Sequence, residues 1–504
     1  MARRDLPTVW VLGDQLDRRR GALGGFGAGE CRVLLVESRA QLGRRRWHRQ
    51  RLHVVLSAMA HFAAELRREG FEVDERNAET LAAGLQAHVE QFCPERVVAS
   101  EPMSWATVDL FDRLGVEIVA SGRFLCSHQE FAAWAEGRKQ LRMEDFYRWQ
   151  RSRLDVLVDH TPEGLAPVGG KWNHDADNRE RPPTDGRGWP MAKTFELDEI
   201  DREVLARMPD NTFGSDPSGL WPVTREQALV RLANFVDAGL AGFGPHEDAM
   251  LAGEWKLAHS TLSSSMNLGL LHPSEVVAVV LAAHEDGDLP INSVEGFVRQ
   301  VIGWREFVWG IYWLWMPGYG DSNELRADRP LPAAFTGDSG TEMRCVNEVL
   351  GHVEQRAYAH HIERLMVLGN LALTAGVDPR AMTEWMTGAF IDGAEWVMLP
   401  NVIGMALFAD GGRMATKPYA SGGAYIQRMS DFCRDCRFDP RKRTGPDACP
   451  YTSLYWDFLA RNRKELAGNH RMSRQLAAMG KLSDLEAVRD RAAEVVIRLG
   501  AGTL

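Results

Sequence analysis

The first third of the chain alternates short apolar runs with longer amphipathic ones. The runs PTVWVLG (7–13), CRVLLVE (31–37), FEVDE (71–75), RVVAS (96–100) and VEIVAS (116–121) have the length and β-branched content of strands. Between them, residues 52–68 and 80–92 repeat apolar positions with helical period. Such a βαβ rhythm predicts a doubly wound parallel sheet that binds ligands beyond the carboxyl ends of its strands. Gly13, Asp14, Gln15 and Glu37 stand at two such ends.

The pattern changes twice more. Residues 150–225 include PVGGKWNHDADNRERPPTDGRGWP, rich in Gly, Pro, Asn and charge and poor in periodicity, which predicts a long ordered linker. From Thr224 onward helical period dominates, as in PSEVVAVVLAAHE and ERLMVLGNLALTAG. The expected architecture is an α/β doubly wound parallel-sheet domain (1–135), an interdomain linker (136–225) and an all-α domain (226–504). A chain of 504 residues exceeds one core in any case.

Composition adds little to the fold and more to the setting. The chain is 45% apolar and 25% charged, with a net charge of −10, which argues against a uniformly basic nucleic-acid coat. Local basic runs remain, at 44–46, 441–443 and 461–464. The most apolar run, FVWGIYWLWM (307–316), is about half the ~20 residues a membrane span needs, so a cytoplasmic protein is expected. The seven cysteines are too few and too unevenly placed for a disulfide framework.

Three of those cysteines carry chemistry. Cys433 and Cys436 are separated by two residues, Cys449 follows after twelve more, and thiolates at that spacing reach one metal centre. Cys345 is the remaining cysteine of the C-terminal half, and recruiting it would close a loop of about ninety residues. Spacing alone leaves zinc and iron–sulfur equally open. Within the loop, His360 and His361 are the sharpest catalytic feature, because imidazole gives and takes protons near neutral pH. On one helix they diverge by ~100° and Arg364 falls near both.

Taken together, LGDQL (12–16), GGKWNHDADNR (169–179), EGFVRQVIGWREF (295–307), AYAHHIERLMVLGN (357–370), LPNVIGM (399–405), FADGG (408–412), TKPYA (416–420) and YWDFLARNR (455–463) resemble the iron–sulfur bacterial branch of the photolyase and cryptochrome family. The resemblance covers nearly the whole chain. It implies FAD in the all-α domain, a [4Fe–4S] cluster on Cys345, Cys433, Cys436 and Cys449, and a 6,7-dimethyl-8-ribityllumazine antenna near Gly13, Asp14, Gln15 and Glu37. It further implies light-driven repair of (6-4) pyrimidine photoproducts in UV-damaged DNA by a monomer; a cryptochrome-like photoreceptor and a cyclobutane-dimer photolyase are the alternatives. By the same resemblance His259, Ser260, Thr261, Leu262 and Ser263 form a phosphate motif and Arg364 lies by the flavin ring. Asp392 and Glu395 stand at its polar edge, Asn401 near N5, and Tyr419 lines the lesion pocket. Trp385 corresponds to the flavin-proximal tryptophan. The chain departs from the family at Met386, at Met398, and before Cys345, where Phe335 is the nearest aromatic in place of a tryptophan.

Overall fold

A computed structural model describes residues 6–287 and 289–504 of the chain. All five expected strands form: β1 (Thr8–Val11), β2 (Arg32–Ser38), β3 (Glu72–Ala78), β4 (Val97–Ser100) and β5 (Glu117–Val119). They make one sheet in the order β3-β2-β1-β4-β5, parallel throughout. The chain winds outward from β1 to β3, then restarts at β4 on the other side of β1. The direction of winding therefore reverses between β1 and β4, where doubly wound sheets open a crevice.

Period-two alternation sorts the strand side chains onto two faces. Val9, Val11, Val33 and Leu35 join Val54, Ala58 and Phe62 of helix α1 (Arg49–Arg68). Trp10, Leu34 and Val36 join Leu85 of α2 (Leu81–Phe92) and Phe111 of α3 (Trp105–Leu114). Helix α2 starts where the Thr80 hydroxyl accepts the Ala83 N–H at 3.1 Å. The face under α1 does not end at the sheet. Its core runs on through Leu220, Trp221, Phe243, Ile302 and Tyr358 into the helical half.

Residues 136–225, expected as a linker, carry structure of their own. They hold a helix at Met143–Leu154, a hairpin of Val158–Thr161 with Gly164–Pro167, and a helix at Glu199–Arg207. In that last helix Val204 is buried, and with Met208 just past its end it packs on Leu52 and Leu56 of α1. A stripe of two apolar residues one turn apart, in an otherwise charged segment, was too narrow to stand out in the sequence.

The second half is helical, and four of its described turns are wide π turns: Phe235–Gly239, Arg299–Arg305, Glu363–Gly369 and Pro400–Ala406. Such turns insert a residue and rotate every later side chain, and they gather at functional sites. A break also divides AYAHHIERLM. Helix Arg344–Arg356 stops at Ala357, whose φ of 54° is left-handed, and helical structure resumes only at His361. The expectation of both histidines on one helix is therefore corrected: His360 precedes the helix, and its carbonyl accepts the Arg364 N–H at 3.1 Å. Among the described residues no helix is long and apolar enough to cross a membrane.

Helix Glu306–Trp315 packs against helix His128–Ala135 at Gly310, where a Cβ would stand 2.1 Å from the Phe131 ring. Gly310→Ala should therefore overpack this contact, costing about 1–3 kcal/mol and lowering the thermal midpoint measured by circular dichroism. An unchanged midpoint would mean that Phe131 swings aside freely.

Candidate active site

The break before His361 lets three imidazoles converge. His259 and His360 stack with ring centroids 4.5 Å apart and planes 14° from parallel, and His361 meets His259 edge-on at 5.2 Å. His360 is fully buried, and neither ring nitrogen has a hydrogen-bond partner among the described residues. Burial, reinforced by the neighbouring histidines, holds His360 well below the ordinary imidazole range, and His259 likewise. His361 differs. Its side chain is 45% exposed and its Nε2 lies 3.3 Å from the Asp248 carboxylate. Desolvation works against its charge, yet Asp248 and Glu247 outweigh it and raise the pKa. The site thus pairs a buried imidazole whose pKa is lowered with a half-exposed one whose pKa is raised.

Beneath His360 lies Glu363, fully buried, 3.6 Å from His360 Nε2 and 3.2 Å from His352 Nδ1. Burial raises its pKa, against a lowering pull from His352. Glu247, also buried, sits 3.4 Å from Arg299, and desolvation lifts its carboxyl to about 7.

Arg364 and Asp392 form the fixed point of the site. Arg364 donates to Asp392 at 2.8 and 3.2 Å and to the Ala359 carbonyl at 2.6 Å. The Ser263 hydroxyl donates to the same carboxylate at 2.7 Å. Desolvation of Asp392 is overcome by Arg364 and Ser263, so its pKa is lowered and the pair stays ionised.

The run His259 to Ser263 is not one regular turn. Leu257 and Thr261 both adopt left-handed φ (48° and 57°), which turns successive side chains in different directions. His259 joins the histidines, Leu262 is fully buried in the core, and the Ser260 carbonyl accepts the Thr261 hydroxyl at 2.6 Å. Thr261 Oγ1 also accepts from buried Arg231 at 2.8 Å, and Ser263 opens the helix Ser263–Leu268.

Other expected residues are placed apart. Glu395 accepts the Tyr312 hydroxyl at 2.6 Å and is not drawn to the Arg364–Asp392 pair. The Asn401 amide donates to the Val397 carbonyl at 2.9 Å from inside a π turn. Trp385 donates its indole N–H to the Phe335 carbonyl at 2.7 Å and touches the Phe335 and Phe390 rings at 4.9 and 5.9 Å. Tyr419 is half-buried, and the charges acting on it are Asp175, Arg179, Arg471 and Asp248.

At the strand ends, a Cβ on Gly13 would stand 2.8 Å from Met59 Sδ, so glycine lets α1 approach β1. Burial raises the Asp14 carboxyl, and Arg123 and Arg51 pull it back down. Gln15 donates to the Glu101 carbonyl at 2.8 Å, while its own Oε1 is buried without a partner among the described residues. Glu37 is taken by Arg207 in an ion pair.

Cys345, Cys433, Cys436 and Cys449 line one cavity with Phe432, Phe438 and Tyr451. Burial, together with the neighbouring thiols, pushes Cys345 well above the ordinary thiol range and Cys433 to about 12. At Gly423 a Cβ would stand 2.8 Å from Cys449 Sγ, so this glycine keeps space open beside the sulfur.

Several residues of the site escaped the sequence reading. Asp248 and Arg231 gave no local signal. Ser264 and Ser265 continue a serine run already noticed, and their buried hydroxyls lack partners among the described residues, as does Arg231 Nε. The basic residues Arg441 to Arg443 and Arg461 are each paired with a nearby acid. Arg441 pairs with Asp439 at 3.0 Å, Lys442 with Asp447, Arg443 with Asp484 at 2.7 Å, and Arg461 with Asp457 at 2.7 Å. The exposed cations at the histidine mouth are Arg179, Arg428 and Arg471, gathered around Tyr419 and Tyr425.

Comparison with known proteins places this geometry. Residues 9–216 match the family described as deoxyribodipyrimidine photo-lyase-related protein. A (6-4) photolyase of Agrobacterium fabrum is 43% identical over 492 residues, covering 94% of this chain and 96% of that one. Among solved structures, a class III photolyase from Agrobacterium tumefaciens superposes with a TM-score of 0.61 at 15% identity, covering 99% of each chain. A cryptochrome of Synechocystis superposes with a TM-score of 0.56 at 13% identity over 85% of this chain and 89% of that one.

Proposed function

The chain belongs to the photolyase and cryptochrome family, and we propose that it is a light-driven (6-4) photolyase. One observation carries the reading: a half-exposed imidazole 3.3 Å from Asp248, which raises its pKa, beside a buried imidazole and the Arg364–Asp392 pair. The full-length likeness to a (6-4) photolyase supports the same lesion.

FAD fits the unpaired polar groups of this region. Ser264 and Ser265 hydroxyls and Arg231 Nε are buried donors that await acceptors, as phosphate oxygens are, and Arg364 with Asp392 would border the ring. When bound and reduced, FAD would supply light-driven one-electron chemistry, lending the lesion an electron that returns to it once the adduct bond has broken. His361 supplies the proton: as imidazolium it donates to the pyrimidine adduct and takes the proton back once the adduct bond has broken. His360, neutral and clamped against His259, fixes where His361 can point. A pyrimidine flipped from the duplex would enter past Tyr419, with Arg428 and Arg471 on the phosphates.

The four cysteines are read as ligands of one [4Fe–4S] cluster. They line one cavity with Phe432, Phe438 and Tyr451, with room beside Cys449 kept by Gly423. The antenna in this proposal is 6,7-dimethyl-8-ribityllumazine. Gln15 offers it a buried acceptor, whereas Glu37 is already engaged by Arg207.

The pH profile tests the proton donor. A pKa raised above the ordinary ~6.5 means His361 is charged below that raised value, so repair by pre-reduced enzyme should be flat at low pH and fall as pH climbs through it. Asp248→Asn should move the falling limb to lower pH, and His361→Ala should abolish repair of a defined (6-4) lesion while FAD stays bound. A limb that stays put in Asp248→Asn would remove Asp248 from this role.

Anaerobically purified protein should contain about four iron atoms and matching sulfide per chain, and Gly423→Ala should lose iron because its methyl crowds Cys449. Zinc without iron would overturn the cluster. For DNA, Arg428→Ala should reduce the slope of log affinity against log salt by roughly 0.9, while Arg441→Ala leaves it unchanged because Asp439 already neutralises that charge. Equal effects of the two substitutions would count against the proposed mouth.

A further inference from the structure

A cluster of metal-ligating side chains lies outside the sites described above, where the middle segment meets α1. His53, Ser57 and His61 follow one another at four-residue spacing and so share one face of that helix. That face meets the start of the helix Glu199–Arg207. His53 Nε2 lies 3.3 Å from the Asp201 carbonyl and 3.2 Å from the Ser57 hydroxyl. His61 Nε2 lies 3.2 Å from Asp201 Oδ1 and 3.6 Å from Asp198 Oδ1. The ligand atoms of His61, Asp198 and Asp201 all stand within 4.8 Å of one another.

The helix start holds both carboxylates in place. Asp198 Oδ1 accepts the Asp201 N–H at 3.1 Å, and Asp201 Oδ2 accepts the Asp198 N–H at 3.2 Å. This reciprocal cap leaves Asp201 Oδ1 turned to the imidazole. Asp201 is buried, and burial works to raise its pKa, yet His61, the Asp198 N–H and Ser57 outweigh burial and lower it. Its carboxylate therefore carries charge at neutral pH.

Capping alone does not account for His61. One ring N–H serves one acceptor, whereas Nε2 here faces two carboxylates at nearly equal range. Two like charges gathered at a single nitrogen repel, and a divalent cation between them would remove that cost. With metal–ligand bonds of ~2.1 Å, the edge of a tetrahedron is roughly 3.4 Å, midway between the two observed separations. An imidazole nitrogen in the set favours zinc over magnesium or calcium, which take oxygen ligands. The Asp198 side chain is 55% exposed, so an ion can enter from solvent and keep water on its open side.

We propose that His61, Asp198 and Asp201 bind one zinc-class divalent cation, which pins the middle segment to α1. The site shares no residue with the flavin or cysteine readings and stands or falls apart from them.

The test uses the whole protein, freed of loosely held metal by EDTA, with iron measured before and after. In calorimetry with zinc the wild type should take up one ion per chain that His61→Ala loses. Asp198→Asn is the sharper variant. Asparagine caps a helix about as well as aspartate, so the fold is kept, while loss of the charged ligand should weaken zinc binding tenfold or more. The thermal midpoint should rise with zinc in the wild type and not in Asp198→Asn, whose metal-free midpoint stays at the wild-type value. A merely structural role for Asp198 would leave the zinc response unchanged. Cobalt in place of zinc should give the weak visible bands of a nitrogen–oxygen site, without the intense near-ultraviolet bands of cobalt on thiolates. Wild-type protein that binds no zinc overturns the site, as does a zinc response that persists in Asp198→Asn. Cobalt bands of thiolate type alone overturn it too, placing the metal on the cysteines. Loss of zinc in His361→Ala but not in His61→Ala does the same, placing it on the histidine cluster.

Discussion

The ion pair between Arg364 and Asp392 is the contact around which the site is assembled. It joins positions twenty-eight residues apart and gathers Ser263 and the Ala359 carbonyl onto the same two side chains. Buried pairs add little net stability, because desolvation takes back most of the Coulomb gain. What this pair supplies is geometry. With Arg364 held on both sides, the backbone from Ala357 to His361 has one path, and that path lays His360 against His259 and turns His361 outward. Removing either partner would leave an uncompensated charge in the interior.

The histidine cluster follows from that constraint. Three imidazoles near one another cannot all carry charge, and burial decides which ones give it up. Burial lowers His259 and His360 well below the ordinary imidazole range, while Asp248 helps raise His361 above it. Exposure and one carboxylate, not residue type, thus set His361 apart from its two neighbours.

Much of this was legible beforehand, and the failures have physical causes. Strand alternation and helical period named the five strands and the helices around them, because a period-two pattern with both faces buried admits few other readings. The Cys433-x-x-Cys436 spacing and the histidine pair pointed to where the structure gathers four cysteines around one cavity and three imidazoles side by side. What local pattern cannot show is backbone that leaves the allowed norm. Left-handed Leu257, Thr261 and Ala357 redirected His259, scattered the hydroxyl run and split the histidine helix. Nor can it show partners from afar: Asp248 meets His361 across 113 residues, and the aspartates that neutralise Arg441–Arg443 lie in loops with no signal of their own.

The apolar layer beneath α1 bears on how far the molecule is modular. Val9 and Leu35 do not close off a private interior for the sheet, since they share one continuous core with Val54, Trp221, Phe243 and Tyr358. A cut at either end of the middle segment would leave an oily face on both fragments, with Leu220 and Trp221 stranded on whichever piece kept them. The two halves are therefore poor candidates for exchange as separate parts between relatives. A substitution deep in one half should be felt as lost cooperativity in the other, and the unit on which selection acts is the whole chain.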